Sequence, residues 1–236
     1  MNNTIEFIKV SYFSIVKIAR TNILKGLTLA AKKYSKGNLV DLGCGTRPYE
    51  NIFKPYVQTY FGVDFHTTAD AYYASDTKAD LYIDCTDTKM EQGSFDTLLS
   101  TQVMEHIYDT RKYVSECFRL LRKDGIAIFT VPFLWQCHGE PYDYYRFTKY
   151  SLHMVFEQQG FEIIEIRELE GAYAALIQTK IISLYSFPYS NILINILQKL
   201  IRVFWVPFLN FSALHFDKLF YNNKLCINYL VVVKKK

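Results

Sequence analysis

Residues 39–45 read Leu-Val-Asp-Leu-Gly-Cys-Gly, a short apolar run that ends in an acid and two glycines. A second apolar run, Tyr60–Val63, follows and is closed by Asp64. Glycine has no Cβ, so the backbone at Gly43 and Gly45 can turn sharply and let a ligand lie against it. In a doubly wound sheet, an acid about 20 residues further on, at the tip of the next strand, suits a ribose diol. The two motifs predict that an adenosine-containing cofactor lies over the carboxyl ends of parallel strands.

The residues beside these glycines narrow the class of cofactor. A dinucleotide fingerprint requires a third glycine three residues after the second, and Pro48 stands at that position. Residues 45–47 read Gly-Thr-Arg where a P-loop has Gly-Lys-Thr, so the phosphate-binding lysine is missing. A sulfonium cofactor has no phosphate and carries a positive charge, and Asp41 is well placed to attract its amino-acid end. The order strand, D-x-G-x-G, strand, Asp therefore favours a sulfonium cofactor.

Four stretches between residues 37 and 167 resemble the class I S-adenosylmethionine-dependent methyltransferases. They are Leu39–Thr46, Tyr60–Asp64, Ser94–Ile107 and Leu120–Pro132. The third stretch is similar to the small-molecule branch of that family, in which a strand ends and Glu-His-Ile opens a helix. The resemblance implies S-adenosylmethionine as the cofactor and a set of residues that contact it. These residues are Asp41, Gly43, Cys44, Gly45, Asp64 (at the ribose), Phe65, Asp84 and Cys85 (at the adenine), Thr101 and Gln102.

Strand-like and helix-like segments alternate along the chain. Strands are predicted over 38–42, 59–63, 81–83, 95–99, 126–131 and 161–166, and helices notably over 109–121 and 149–159. Such alternation predicts a parallel sheet with helices on both faces. In the resembled family a seventh, antiparallel strand follows, and residues 225–233 are β-rich. We therefore predict an α/β fold, a Rossmann-like, doubly wound, seven-stranded sheet with its last strand antiparallel.

An unusually long segment separates the sixth and seventh strands. The usual connection has a few residues, whereas residues 169–223 intervene here and are strongly apolar and aromatic. Charges such as Lys180 and Arg202 interrupt the apolar runs, so a membrane-spanning helix is not predicted. We predict an apolar helical insertion over 169–223 within a methyltransferase domain formed by 37–168 and 224–236. Its apolar face is expected to meet a bilayer interface or a lipid-linked substrate; the alternatives are a buried subdomain and a homodimer interface.

Residues 1–36 are predicted to form a basic amphipathic helix. Apolar residues recur at helical spacing over 4–33, lysines and arginines occupy other positions, and Glu6 is the only acid. A helix of this kind can lie on an anionic membrane surface. The alternative is a helix that caps the sheet edge and exposes its basic face to water.

Composition sets broad limits on function. Half of the 236 residues are hydrophobic, which is enough for one large domain with an appendage. The net charge of +4 is too small to indicate nucleic-acid binding, and no N/D-P-P-Y sequence follows the fourth strand. Five cysteines without C-x-x-C indicate reduced thiols of a cytoplasmic protein, and no secretory signal is expected. Because H-E-x-x-H and C-x-x-C are both missing, no metal site is predicted.

Two loops at the carboxyl ends of strands offer a general base for removing a proton from an acceptor. His138, in the loop after the fifth strand, titrates near neutral pH, and Glu140 or Asp143 could orient it. His106, after the fourth strand, is the second catalytic candidate. Glu-His-Ile recurs in the resembled family as a helix-opening element, so a structural role is favoured for Glu105 and His106.

The loop after the fifth strand also offers an acceptor-binding face. Tyr144, Tyr145 and Arg146 are the candidates, because aromatic faces stack on sugars and a guanidinium forks onto carboxylate or phosphate. The alternative is that Asp143 and Arg146 pair to pin the loop while Thr148 caps the next helix. The run H-x-x-P-x-DYYRFT resembles a signature of some bacterial methyltransferases associated with surface-glycan pathways. That resemblance implies a glycan or lipid-linked acceptor.

Together these features predict a cytoplasmic S-adenosylmethionine-dependent methyltransferase, peripheral at the inner face of the membrane. Its partners would be a small-molecule, glycan or lipid-linked acceptor, methylated on oxygen, and not a nucleic acid. The alternatives are a soluble small-molecule methyltransferase and a non-catalytic scaffold that retains the fold. The intact D-x-G-x-G motif and Asp64 argue against a scaffold, which need not keep them.

Overall fold

The structure is a computed structural model that describes residues 10–65, 78–186 and 192–236. The chain separates into two compact units. The larger unit contains residues 26–132, 136–167 and 229–236, and the smaller contains residues up to 25, 133–135 and 168–228. The first nine residues of the predicted N-terminal helix lie outside the described residues.

The larger unit is built on a seven-stranded mixed sheet with the order β3-β2-β1-β4-β5-β7-β6. The strands are β1 Asn38–Leu42, β2 Thr59–Asp64, β3 Leu81–Tyr82, β4 Phe95–Thr101, β5 Leu121–Pro132, β6 Phe161–Glu168 and β7 Asn228–Lys235. Strands β1 to β5 pair in parallel, and the last strand is antiparallel. Leu39, Val40 and Leu42 on β1 are fully buried, as expected for a central strand covered on both faces. The predicted fold is confirmed.

Among the described residues, four helices belong wholly or partly to this unit, and their ends follow from local chemistry. They are α1 Lys17–Tyr34, α2 Glu50–Phe53, α3 Thr110–Leu120 and α4 Lys149–Gln158. The Asp109 side chain accepts a hydrogen bond from Lys112 N at the start of α3. Thr148 accepts one from Ser151 N at the start of α4, so the predicted cap is present. Gly160, at φ +88°, ends that helix, since a left-handed residue is needed there.

Strand β5 begins earlier than the sequence indicates. The pattern predicts a turn over 123–125 and a strand from residue 126, but the strand starts at Leu121. The pairing partner of Phe95 is Leu121 and that of Thr97 is Ile126, so the intervening β5 residues bulge out of the ladder. Asp124 in this bulge has a φ of +62°. The turn signal therefore marks an irregularity inside the strand.

Within the described part of the helix predicted over residues 4–33, helical structure begins at Lys17, where α1 starts. The Lys17 side chain is buried, donates a hydrogen bond to Val10 O at 2.5 Å, and lies over the Tyr12 ring. The backbone carbonyls of Tyr12 and Ser14 accept hydrogen bonds from the Asn210 amide. Tertiary contacts therefore override the helical periodicity before Lys17, and this lysine does not belong to a solvated basic face.

The smaller unit contains the predicted pair of insertion helices, α5 Ala172–Ser186 and α6 Ile192–Phe216. Its core consists of small and branched residues: Ile18, Ala19, Ala174, Ala175, Ile181, Val206, Ala213 and Ile227. Asp217 accepts hydrogen bonds from Gly171 N and Ala174 N, which satisfies donors at the start of α5. No helix in the described ranges combines the length and the hydropathy needed to cross a bilayer.

Candidate active site

The glycine turn after β1 lies where the sequence predicts, at the carboxyl edge of the sheet. Gly43 N and Cys44 N both donate to Val63 O, at 2.8 and 3.0 Å. Gly43 and Gly45 have φ values of +76° and +50°, a conformation that other residues rarely adopt. A Cβ on Gly43 would overlap Cγ2 of Val103, which follows β4. A side chain at this position is therefore excluded by both backbone conformation and space.

Asp64 holds this turn from the end of β2. Its Oδ2 accepts a hydrogen bond from Gly45 N at 2.6 Å, and its Oδ1 accepts one from Phe65 N at 2.7 Å. Burial raises the pKa of the carboxyl group, and the two N–H donors oppose that rise. A carboxylate has about four acceptor positions, so Asp64 can fix the turn and still accept hydrogen bonds from a ribose.

Asp41 places an incompletely satisfied carboxylate beneath the turn. It is buried, and Oδ2 accepts a hydrogen bond from the Tyr60 hydroxyl at 2.5 Å. Its Oδ1 is buried without a hydrogen bond from the part of the chain that the structure describes. Burial raises the pKa of Asp41 to about 7, although the Tyr60 bond acts in the opposite direction. A cationic group above the turn would satisfy this oxygen, which fits the α-ammonium of an amino-acid-bearing cofactor.

The other predicted cofactor contacts line the same edge. Cys44 and Cys85 are buried, and burial raises the pKa of both thiols. Asp84 is exposed and accepts a hydrogen bond from Thr86 N. Three more predicted contacts stand at strand ends: Phe65 after β2, Thr101 at the end of β4, and Gln102, whose N donates to Thr130 O. Their contact with a cofactor stays a prediction.

A second polar cluster follows β4 and is formed by Glu105, His106 and His138. The Glu105 side chain is fully buried, and burial raises its pKa to about 8. His106 Nε2 lies 3.8 Å and His138 Nε2 3.9 Å from Glu105 Oε1, and the two imidazole rings meet edge to face. The cluster adjoins the glycine turn, because His106 N donates to Val103 O at 2.9 Å. The structure thus brings together the two predicted catalytic histidines.

Sequence reasoning assigned Glu105 a structural role and did not predict its position between the histidines. The turn over Met104–His106 directs the Glu105 side chain into the protein. Its backbone carbonyl accepts hydrogen bonds from Tyr144 N and Tyr145 N. An acid that follows a buried strand beside a histidine is the one signal that could have indicated it.

Arg146 braces the loop after β5. Its guanidinium donates to both oxygens of Asp143 at 2.7 Å, and to the carbonyls of Gln136 and Tyr145. Asp143 also accepts a hydrogen bond from His138 N. Burial opposes ionisation of Asp143, but the Arg146 and His138 N donors hold its pKa at about 2. This is the pinned-loop alternative of the sequence analysis, and direct contact of Arg146 with an acceptor stays a prediction.

Tyr144 and Tyr145 face the solvent beside the Asp143–Arg146 pair. Both rings are partly exposed, and the Tyr145 hydroxyl donates to Tyr108 O at 2.8 Å. The rings of Tyr144 and Tyr108 meet edge to face at 5.4 Å. The three tyrosines form an aromatic surface next to His106, whose Nδ1 lies 2.7 Å from Tyr142 O. An acceptor could stack on this surface, as predicted for Tyr144 and Tyr145.

A glycine turn after β1, an acid at the end of β2 and this strand order define a class I methyltransferase-like fold. A protein-family model described as a methyltransferase domain matches residues 40–129. A protein of Mycolicibacterium smegmatis described as a probable S-adenosylmethionine-dependent methyltransferase is 26% identical over 97 residues. The match covers 40% of this chain and 38% of that protein, so the chain spans well under half the length of this curated relative.

Solved structures show the same fold at low sequence identity. The S-adenosylmethionine-dependent methyltransferase of Mesorhizobium loti is 15% identical, with a TM-score of 0.56 over 92% of this chain and 100% of that one. The [4+2]-cyclase SpnF is 15% identical, with a TM-score of 0.57 over 92% of this chain and 80% of that one. One fold can carry different reactions, so the reaction must be argued from the site.

Proposed function

We propose that the protein is an S-adenosylmethionine-dependent methyltransferase. The observation that carries the proposal is the buried Asp41 Oδ1, which lacks a hydrogen bond from the described residues beneath a turn that has no side chain at Gly43 and Gly45. A cationic amino-acid end would satisfy this oxygen. The matched methyltransferase domain over residues 40–129 supports the same cofactor.

The cofactor site follows from the residues at the carboxyl edge of the sheet. When bound, S-adenosylmethionine supplies a methyl group on a sulfonium centre. Asp41 would bind the ammonium group, Asp64 would accept from the ribose hydroxyls, and the glycine turn lets the ligand approach the backbone. Val103 contacts the turn and would exclude water from the side nearest the second cluster.

Oxygen is the acceptor atom that the second cluster fits best. An alcohol is a poor nucleophile unless a positioned base removes its proton. Burial lowers the pKa of His138, with the neighbouring His106 acting in the same direction, so His138 is largely neutral at pH 7. A neutral imidazole can take the proton of an acceptor hydroxyl, while Tyr144 and Tyr145 would hold a sugar ring by stacking.

We infer that the acceptor is glycan-containing or lipid-linked, since α6 carries an exposed apolar stripe. Ile196, Leu200, Val203, Phe204, Phe208 and Phe211 are all exposed large side chains. Their spacing of three and four residues puts them on one face of the helix. The exposed Trp205, Lys199 and Lys218 lie close by in sequence. Such a face suits insertion at the interface of an anionic bilayer.

Calorimetry with S-adenosylmethionine and S-adenosylhomocysteine tests the cofactor. We expect micromolar binding, which corresponds to about −8 kcal/mol, and a loss of at least about 100-fold in Asp64→Ala. Glu157→Gln, which alters an exposed carboxylate on α4, should bind as the wild type does. If the wild type binds neither compound, the methyltransferase proposal fails and a scaffold remains. If it binds them, transfer of labelled methyl to membrane glycolipid extracts tests the acceptor class.

Flotation with vesicles containing phosphatidylglycerol tests the membrane inference. Wild-type protein should float with the vesicles. The double variant F204S/F208S should float at least about tenfold less, because two exposed aromatic rings that become buried in a bilayer would contribute several kcal/mol to binding. Tyr150→Ser is the matched control, since it removes an exposed aromatic ring from α4. Equal flotation of all three proteins would contradict membrane binding by the apolar stripe of α6. Concentration-dependent dimers that F204S/F208S abolishes would mean instead that the stripe is a dimer interface.

A further inference from the structure

We infer that Glu105, His106 and His138 form a binding site for one divalent transition-metal ion such as Zn²⁺. One ligand atom from each residue lies within 4.8 Å of the others. Two imidazole nitrogens and one carboxylate oxygen are the donors of the two-histidine, one-carboxylate sites that bind Zn²⁺ and Fe²⁺. The binding does not depend on methyl transfer, so the inference stands apart from the proposed function.

The buried Glu105 carboxyl group is the strongest reason for a cation. Its side chain is 0% exposed, and neither oxygen accepts a hydrogen bond from another residue in the described ranges. The closest imidazole nitrogens, at 3.8 and 3.9 Å, are too distant for hydrogen bonds. Burying an unsatisfied carboxyl group costs free energy. A cation bound among the three side chains would offset that cost.

The outer nitrogens of both imidazoles face groups that orient them for metal binding. His106 Nδ1 lies 2.7 Å from Tyr142 O, which can only accept, so the ring proton stays on Nδ1 and Nε2 presents a lone pair toward Glu105. Metal-binding histidines usually donate their second N–H to a carbonyl or carboxylate in this way.

His138 has the second kind of partner, a carboxylate. Its Nδ1 lies 3.3 Å from Asp143 Oδ2 and 3.5 Å from an Arg146 nitrogen. Metal binding at Nε2 requires the proton on Nδ1, where Asp143 is the acceptor. The charge of Arg146 is balanced by its two hydrogen bonds to Asp143. The guanidinium therefore orients the carboxylate that faces His138 Nδ1.

Side-chain movements would close the site. Zn²⁺ bonds of about 2.0–2.2 Å in tetrahedral geometry put ligand atoms roughly 3.4 Å apart. The two carboxylate–imidazole distances are 3.8 and 3.9 Å, and all three ligand atoms lie within 4.8 Å of one another. The side chains of His106 and His138 are 19% and 29% exposed, so the cluster is partly open to solvent. Three protein ligands with an open position are typical of catalytic zinc sites. If the proposed function holds, a bound metal would replace His138 in activating the acceptor, because it would occupy the Nε2 lone pair and lower the pKa of a hydroxyl bound at the open position.

No sequence motif indicates this site. Glu105 and His106 are adjacent, and His138 lies in a different loop, so none of the spaced zinc motifs is present. The expectation of no metal was drawn from missing motifs alone, and it stays a prediction that the titration below tests.

Metal titration of chelator-treated full-length protein, without any methyl donor, tests the site. We expect one Zn²⁺ bound per chain by calorimetry, and Co²⁺ binding with visible absorption bands. Glu105→Gln and His138→Gln should each weaken binding by more than about 100-fold, since loss of an outer partner alone costs 10–100-fold. Asp143→Asn should weaken it by about tenfold. His153→Gln is the matched control, because His153 and Glu157 form an exposed pair with 3.4 Å between Nδ1 and Oε1.

Circular dichroism would establish that each variant is folded, and the partly exposed His138 provides a second test if Glu105→Gln unfolds. Absence of saturable Zn²⁺ and Co²⁺ binding in the wild type would overturn the site. So would wild-type affinity in His138→Gln, or an equal loss in His153→Gln. Failure to bind S-adenosylmethionine is a separate result, since the titration contains none.

Discussion

Gly43 and Val103 pack so closely across the carboxyl edge of the sheet that a Cβ on Gly43 would overlap the valine side chain. The contact joins the turn after β1 to the segment that leads into Glu105. The glycine turn and the segment leading into the second cluster therefore approach each other at a residue that has no side chain. The relationship explains why the first glycine of the motif is needed even without a ligand.

Gly43→Ala should destabilise the fold by about 1–3 kcal/mol, since it adds a clash to a φ of +76°. Gly93→Ala is the matched control, because Gly93 also has a positive φ, of +67°, but a Cβ there would meet only Leu121 O at 3.9 Å. Urea unfolding gives the loss of stability in each variant. Because both glycines have a positive φ, the larger loss in Gly43→Ala measures the clash with Val103. Val103→Ala should partly rescue Gly43→Ala, and equal losses at both glycines without rescue would contradict this account.

The Asp143–Arg146 pair should contribute to stability through its geometry. Two parallel N–H···O bonds at 2.7 Å join a guanidinium to a carboxylate, and lysine cannot reproduce that fork. A double-mutant cycle with Asp143→Asn and Arg146→Met should give a coupling energy of about 0.5–3 kcal/mol. Arg146→Lys should recover less than half of it. A coupling energy near zero by urea unfolding would mean that the loop is held by other contacts.

The Asp217 carboxylate should stabilise the start of α5 in the smaller unit. It accepts hydrogen bonds from Gly171 N at 2.8 Å and from Ala174 N at 3.0 Å. Asp217→Ala leaves both donors without this partner, and losses of this kind at a helix N-terminus cost about 0.5–2 kcal/mol. Thermal unfolding and proteolysis over 168–228 would measure the effect. Asp109→Ala, which removes the cap of α3, is the control and should expose no cleavage there.

The sheet could be predicted from the sequence because strands such as Asn38–Leu42 are short buried runs bounded by turn residues. The predicted position and bounds of β1 are confirmed. What failed was local: the turn over 123–125 became a bulge in β5, and α1 began at Lys17. In both places a partner distant in sequence decided the structure, and periodicity carries no information about such partners.

The residues of the glycine turn could be predicted from the sequence, whereas the arrangement around Glu105 could not, for a related reason. Asp41, Gly43 and Asp64 belong to one local motif, and the structure gathers them at one edge of the sheet. Glu105 was assigned a structural role because Glu-His-Ile recurs as a helix-opening element in the resembled family. Its neighbour His138 comes from the loop after β5, which the sequence cannot position. Contact with a cofactor remains a prediction for the first group, and metal binding is a proposal for the second.

The raised pKa of Asp41 predicts that the free energy of unfolding depends on pH, and Asp41→Asn, which does not titrate, can isolate this dependence. Burial raises the pKa of this carboxyl group in the folded chain to about 7, from a usual value of 3.8. The folded chain therefore holds the proton more tightly than the unfolded chain does. The stabilising contribution is fully present below about pH 4 and is lost as the pH rises toward 7.

Asp41→Asn remains uncharged and can still accept the hydrogen bond from Tyr60. The variant should therefore gain stability relative to the wild type between pH 4 and 7, by at most about 4 kcal/mol, at about 1.4 kcal/mol per pKa unit. Urea unfolding at several pH values measures this difference. A constant difference between Asp41→Asn and the wild type across this range would mean that Asp41 titrates normally. The electrostatic reason for placing a cofactor ammonium beside Asp41 would then be lost, because burial would not destabilise the charged carboxylate that a cation is proposed to stabilise.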